Sequence, residues 1–177
     1  MEEKNPKTIL AVNPGTRHLG LAVFEGSDLI FTTIKVVKDQ RMEDKEVLKK
    51  LEQIILTLIT DFSPDILALE EPLPIQIQRS PLLIRMFKRI SEIGKQENIS
   101  VKIYPPPLYR KFICQDEKPT KMQTAYVIAT KYYPWLYRYY EKDLKKKWWE
   151  EKYWVALFDA VALGLMTLSR VAKAEER

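Results

Sequence analysis

This chain of 177 residues has one cysteine, Cys114, and one histidine, His18. A lone thiol excludes an internal disulfide and a CxxC metal motif, points to a reducing compartment, and reads as a small hydrophobe. A lone histidine excludes His-based zinc clusters and argues against a Ser-His-Asp triad. Glycine is scarce, with five residues. No Gly/Ser linker divides the chain, and no internal repeat is visible. No apolar stretch approaches the ~20 residues of a membrane span. The charged N-terminal stretch MEEKNPK lacks the apolar core of a signal peptide. The expectation is a single domain over residues 1–177, cytoplasmic and without a membrane segment.

Hydrophobic residues make up 46% and charged residues 30%, an ordinary globular profile in a chain long enough to close one core. The formal charge is +5 and the isoelectric point about 9.1. That balance suits an anionic partner such as nucleic acid, and equally a mildly basic surface with no partner.

The apolar pattern predicts strands over Thr8 to Asn13, Leu19 to Phe24 and Leu29 to Val37, joined by short turns into an antiparallel meander. Gly26 and Ser27 form the second turn, and Gly15 is expected to supply a positive φ in the first. From Met42 to Thr60 the period becomes helical, with Val47, Leu48, Leu51, Ile54, Ile55 and Leu58 on one side. Asp65 to Glu70 reads as a buried strand, Pro81 to Glu97 as a helix and Ser100 to Tyr104 as a fifth strand. Pro105-Pro106-Pro107 breaks that strand. Helices follow over Leu108 to Ile113, Lys121 to Tyr132 and Lys152 to Ala172. The class is α/β: a five-stranded mixed sheet, an antiparallel meander plus two parallel strands, flanked by helices. A right-handed crossover puts the fourth strand beside the first.

In that arrangement Asn13 and Glu70 end neighbouring parallel strands where the strand order reverses, a place where ligands bind in open α/β sheets. Asp159 lies in the nearly all-apolar run Phe158-Asp159-Ala160-Val161-Ala162-Leu163. A buried acid without a partner costs several kcal/mol. Glu70 and Asp159 therefore need positive charge between them. A divalent cation with hard oxygen ligands, Mg²⁺ or Mn²⁺, meets that need and leaves room for phosphate and water. Structural pairing with Lys or Arg meets it too.

Three segments resemble the RuvC family of Holliday-junction resolvases, which has the ribonuclease H-like fold. ILAVNPGTRHLGLAVFE is similar to the family's opening strand, its DPGT-type turn and its second strand. PDILALEEPL is similar to the strand that ends in a catalytic Glu, and FDAVALGLMTL to the terminal helix. YPPPLYRKFICQDEKPTKMQTAYVI resembles the basic stretch between them. The resemblance implies that Asn13 holds the place of the first catalytic Asp, with Glu70 and Asp159 as catalytic and metal-binding acids. Lys121 matches the lysine near the scissile phosphate, and Arg110 or Lys111 the other basic position. A homodimer, branched DNA as substrate and two divalent ions, Mg²⁺ or Mn²⁺, are implied as well. The chain departs from the pattern at three places. Asn13 offers a neutral amide for a carboxylate. Ala156 stands where the family has a further acid, one turn before Asp159. Leu73 stands where the family has an aromatic residue.

Arg79, Arg85, Lys88 and Arg89 read either as a phosphate track on the second helix or as a solvated face. The segment WLYRYYEKDLKKKWWEEKYW, Trp135 to Trp154, interleaves aromatics with lysines. It suits base stacking and phosphate binding, or an amphipathic extension packed on the core or on a second subunit. His18 is expected at an exposed turn, and Glu71 to point away from Glu70. The leading function is a metal-dependent endonuclease on branched DNA. The alternatives are a nucleic-acid-binding protein that has lost the chemistry and a YqgF-like nuclease acting on structured RNA, whose three acids suit Ala156. An ATP-binding domain of the actin and sugar-kinase type shares the opening signature, but 177 residues leave little room for its second lobe.

Overall fold

A computed structural model describes residues 6–176. Residues 1–5, which begin the stretch read against a signal peptide, lie outside the described residues. The meander is present as β1 (Thr8–Pro14), β2 (His18–Glu25) and β3 (Asp28–Val36). Helix α1 (Asp44–Phe62) crosses over to β4 (Ile66–Glu70), and α2 (Pro74–Arg79) and α3 (Pro81–Gln96) lead to β5 (Ser100–Tyr104). The sheet order is β3-β2-β1-β4-β5, antiparallel on the β2 side and parallel on the β4 side of β1.

Side-chain alternation divides the buried strands between two faces. Leu10 and Val12 of β1, with Leu67 and Leu69 of β4, point toward α1 and α3, where Val47, Leu51, Ile55, Met86 and Ile90 close one core layer. Ile9 and Ala11, with Ile66 and Ala68, point to the other face. Burying each such aliphatic side chain contributes roughly 1.5–3 kcal/mol.

The second face is covered by α4 (Pro106–Cys114), α5 (Lys121–Val127) and α7 (Val155–Glu175). Small residues permit close contact there. Ala11, Ala22 and Ala68 lie under the helices, and a Cβ on Gly20 would stand 1.9 Å from the Ala156 carbonyl oxygen. Twenty-one residues long and mostly apolar, α7 has the length and composition to cross a membrane. The sequence pattern had suggested no such stretch, because Asp159 and scattered small residues break its apolar run. Here α7 lies on the sheet, with Leu157 through Leu163 buried.

Several boundaries differ from expectation. The short helix α2 was not foreseen, because Pro74 opens it directly after the strand loop and it buries no residue. The expected helix from Lys121 to Tyr132 is α-helical to Val127 and continues as a π-helical turn, Ile128–Tyr132. A 3₁₀ turn, Pro134–Leu136, and α6 (Tyr137–Leu144) occupy part of the aromatic segment. The final helix starts at Val155 instead of Lys152, where Asp143 Oδ2 accepts from the Val155 N–H at 2.8 Å. Gly15 does not have positive φ. Among the described glycines that conformation belongs to Gly26, at φ +56°. Gly15 is needed for space, since its N–H donates to the His18 carbonyl at 3.0 Å and a Cβ would meet that oxygen at 2.7 Å.

Candidate functional site

Strand parity delivers the first two site residues. Asn13 continues the Ile9–Ala11 side of β1, and Glu70 continues the Ile66–Ala68 side of β4. The pairing of Val12 with Leu69 sets them next to each other at the carboxyl ends of parallel strands. Both lie under α7, which brings in Asp159. All three are buried: Asn13 is 9% exposed, Glu70 5% and Asp159 2%. They line one cleft of about 420 Å³, together with His18 and Lys121. Three distant stretches of chain thus converge as their sequence order implied.

Two helix starts place the basic and phenolic groups. The triple proline sets Pro106 at the first position of α4, where a missing N–H is harmless. Tyr109 closes the first turn and Arg110 opens the second. Thr120 caps α5: its hydroxyl accepts from the Gln123 N–H at 3.1 Å, and its own N–H donates to Gln123 Oε1 at 2.7 Å. This reciprocal cap holds Lys121 in the first turn of α5, at the cleft.

The acids have protein partners. The Tyr109 hydroxyl donates to Glu70 Oε2 at 2.5 Å. Arg110 grips Asp159 with two bonds, Nε to Oδ1 at 3.2 Å and Nη2 to Oδ2 at 2.7 Å. Burial, reinforced by the charge of Asp159, pushes the Glu70 carboxyl up to about 7, against the opposing pull of the Tyr109 bond, Arg110 and Lys121. Burial also raises the Tyr109 phenol well above its usual range, with both acids adding to the effect. Burial works against the charge on Arg110, but the Asp159 carboxylate outweighs it and holds the guanidinium protonated. Asn13 donates from Nδ2 to the Ala156 carbonyl at 3.3 Å, which leaves Oδ1 as the atom that a cation would take.

Arg110, expected on nucleic acid, is turned inward onto Asp159 because the buried acid needs a counter-charge. Lys111 is exposed and pairs with Glu117 at 2.6 Å. Arg79 is the last residue of α2 and not on α3 with Arg85, Lys88 and Arg89, and it lines an adjoining depression. Arg85 pairs with Asp44, and Arg89 with Glu52 at 2.8 Å, so these two tie α3 to α1. Glu71 is exposed, as its parity required. His18 is not an exposed turn residue. It opens β2, packs on Tyr153 at 5.0 Å between ring centroids, and lies 3.6 Å from Glu151. Burial lowers its pKa, opposed by Glu151.

Tyr109 was not singled out by sequence, whereas Trp148, Glu150 and Glu151, which line the cleft, belong to the aromatic segment Trp135 to Trp154. Tyr109 had one available signal, its place immediately before a basic residue in a helix that starts beside the acids.

The donor set is all hard oxygen: two carboxylates and an amide. It fits Mg²⁺ or Mn²⁺ in kind. In number it is thin for two ions, since among the described residues no three His, Cys, Asp or Glu side chains converge as a metal cage.

No protein-family model matches the chain, and no curated protein matches it in sequence. Solved structures do match. Thermus thermophilus RuvC superposes with a TM-score of 0.68 at 18% identity, covering 93% of this chain and 96% of that one. The same organism's RuvC in complex with a Holliday junction substrate gives 0.64 at 16%, with the same coverage. The yeast mitochondrial Holliday junction resolvase Ydc2 gives 0.60 at 13%, covering 96% of this chain and 82% of that one. The chain has the fold of these resolvases, the ribonuclease H-like fold read from its three segments.

Proposed function

We propose that this chain is a divalent-metal-dependent endonuclease acting on branched DNA. The observation that carries the reading is the convergence of Asn13, Glu70, Asp159 and Lys121, from four separate elements, on one cleft at the switch point of a resolvase fold. Glu70, Asp159 and the amide oxygen of Asn13 would hold Mg²⁺ or Mn²⁺. When bound, the ion supplies an activated water and charge stabilisation at the leaving oxygen. Lys121 orients the scissile phosphate by its charge. Tyr109 holds the Glu70 carboxyl in place, and Arg110 orients Asp159 through its two bonds. A homodimer that offers one cleft to each of two opposed strands of a four-way junction goes with this reading. Sedimentation with and without junction DNA tests it.

A second reading is favoured by a specific contact. Arg110 already engages both oxygens of Asp159, and Asn13 brings no charge. On that reading the chain binds junctions without cutting them.

The experiment is cleavage and binding of a synthetic four-way junction in Mg²⁺ or Mn²⁺ by the wild type and by Asn13→Asp, with structured RNA as competitor. Salt-sensitive binding, slow cleavage by the wild type and at least about tenfold faster cleavage by Asn13→Asp are expected. Binding by both with cleavage by neither establishes the second reading. RNA competing better than the junction moves the substrate to RNA. No binding overturns all of these.

A further inference from the structure

The loop between α6 and α7, residues 145–154, carries four aromatic residues with two different fates. Tyr153 packs on His18, and Trp154 packs on Tyr139 at 4.3 Å between ring centroids. Trp148 and Trp149 point outward instead, 87% and 63% exposed. Their rings meet edge to face at 5.6 Å. One exposed apolar residue on a surface is ordinary, but two adjacent indoles withheld from an available core are not.

The loop is built to hold them there. Asp143, 1% exposed, anchors its base by accepting from the Val155 N–H and facing Lys146 at 3.6 Å. The Lys146 ammonium closes the loop on the Glu151 carbonyl at 2.6 Å, and the Lys147 N–H donates to Glu150 Oε2 at 2.6 Å. Trp148 lines the same cleft as Glu70 and Asp159. Lys147 lies over the Trp149 ring at 5.0 Å, and Lys152 lines the cleft. Of the two acids at the rim, Glu151 faces Arg17 and His18, and Glu150 is held by the Lys147 N–H. An indole face beside ammonium groups at the rim of a cleft is complementary to a nucleotide, which brings a ring to stack and a phosphate to neutralise.

We propose that Trp148 and Trp149 form a stacking platform for unpaired nucleotides at the mouth of the acid cleft, with Lys147 and Lys152 on the adjoining phosphates. This rests on the nuclease reading and deepens it. The ligand is the unpaired base at a branch point. The platform selects branched over linear DNA.

The test titrates Trp148→Ala, Trp149→Ala, the double variant and Trp148→Phe with three probes: an oligo-dT strand, a linear duplex and a four-way junction carrying 2-aminopurine at its centre. Circular dichroism checks the fold of each variant. In the wild type, oligo-dT quenches tryptophan emission and binding changes the 2-aminopurine signal. The double variant loses the quench and about tenfold or more in affinity for oligo-dT and the junction, as removing base–aromatic stacking does. Its duplex affinity stays within about twofold, and Trp148→Phe retains most of the single-strand affinity. Unchanged junction and oligo-dT affinity in the double variant overturns the proposal while leaving the nuclease reading intact. So does sedimentation that shows a wild-type dimer dissolved by the tryptophan changes, which makes the loop a protein contact. A wild type that binds none of the probes overturns both.

Discussion

Arg110 meets Asp159 in a two-pronged pair, 13% and 3% exposed at the side chains, with nitrogen–oxygen distances of 3.2 and 2.7 Å. Of the two sources of positive charge that a buried acid in an apolar helix admits, the chain itself supplies one. Geometry of this kind makes the pair more than a surface contact, because neither partner can turn to water when the other is removed.

Arg110→Met is therefore expected to destabilise the fold by roughly 3–5 kcal/mol at pH 8, since it strands a buried carboxylate. The melting temperature falls by something on the order of 10 °C. Asp159→Asn in the same background recovers part of the loss. Calorimetry of the two single variants and the double variant checks this, and strictly additive losses would refute the coupling.

The Glu70 carboxyl gives the fold a pH signature. Its folded value of about 7 lies above its ordinary 4.5, so the folded chain keeps a proton that the unfolded chain releases. The stability that this contributes is present in full below about pH 4.5 and is lost as pH rises through about 7. The loss is on the order of 3 kcal/mol. Glu70→Gln is expected to be the more stable protein at pH 8. Subtracting its urea midpoints from those of the wild type between pH 5 and 8 isolates the effect. A flat difference would show that burial does not hold the proton there.

Gly20 lies opposite Asn13 in the β1–β2 register, beneath the first turn of α7. Gly20→Ala drives a methyl into the Ala156 carbonyl, a backbone atom that cannot rotate aside. A cost of about 1–3 kcal/mol or more is expected, with a lifted α7 start and loss of the Asn13 contact to Ala156. Hydrogen exchange at residues 155–160 reads out the lifting. Unchanged protection there would mean that the helix does not need the gap.

Much of this was legible in the chain. The strand order followed from alternation, helical period and the handedness of a crossover. Those rules also set Asn13 and Glu70 side by side, because parity leaves no other face for them. The apolar setting of Asp159 announced that it needs a cationic partner. His18 was misplaced because a residue after a Pro-Gly turn looks exposed locally, whereas its burial comes from Tyr153, 135 positions along. Arg85 and Arg89 looked like a track because periodicity shows a common face but not the acids on α1 that meet it.

What the sequence settled alone is everything governed by neighbours along the chain: periods of two and 3.6, turn residues, caps, and which acids have no local partner. Which cation answers Asp159, that Tyr109 reaches Glu70, and that Trp148 stands at the cleft while Trp154 turns inward were decided only when separate elements packed. Each depends on distances between side chains far apart in sequence, and those distances exist only after burial has fixed how the helices lie on the sheet.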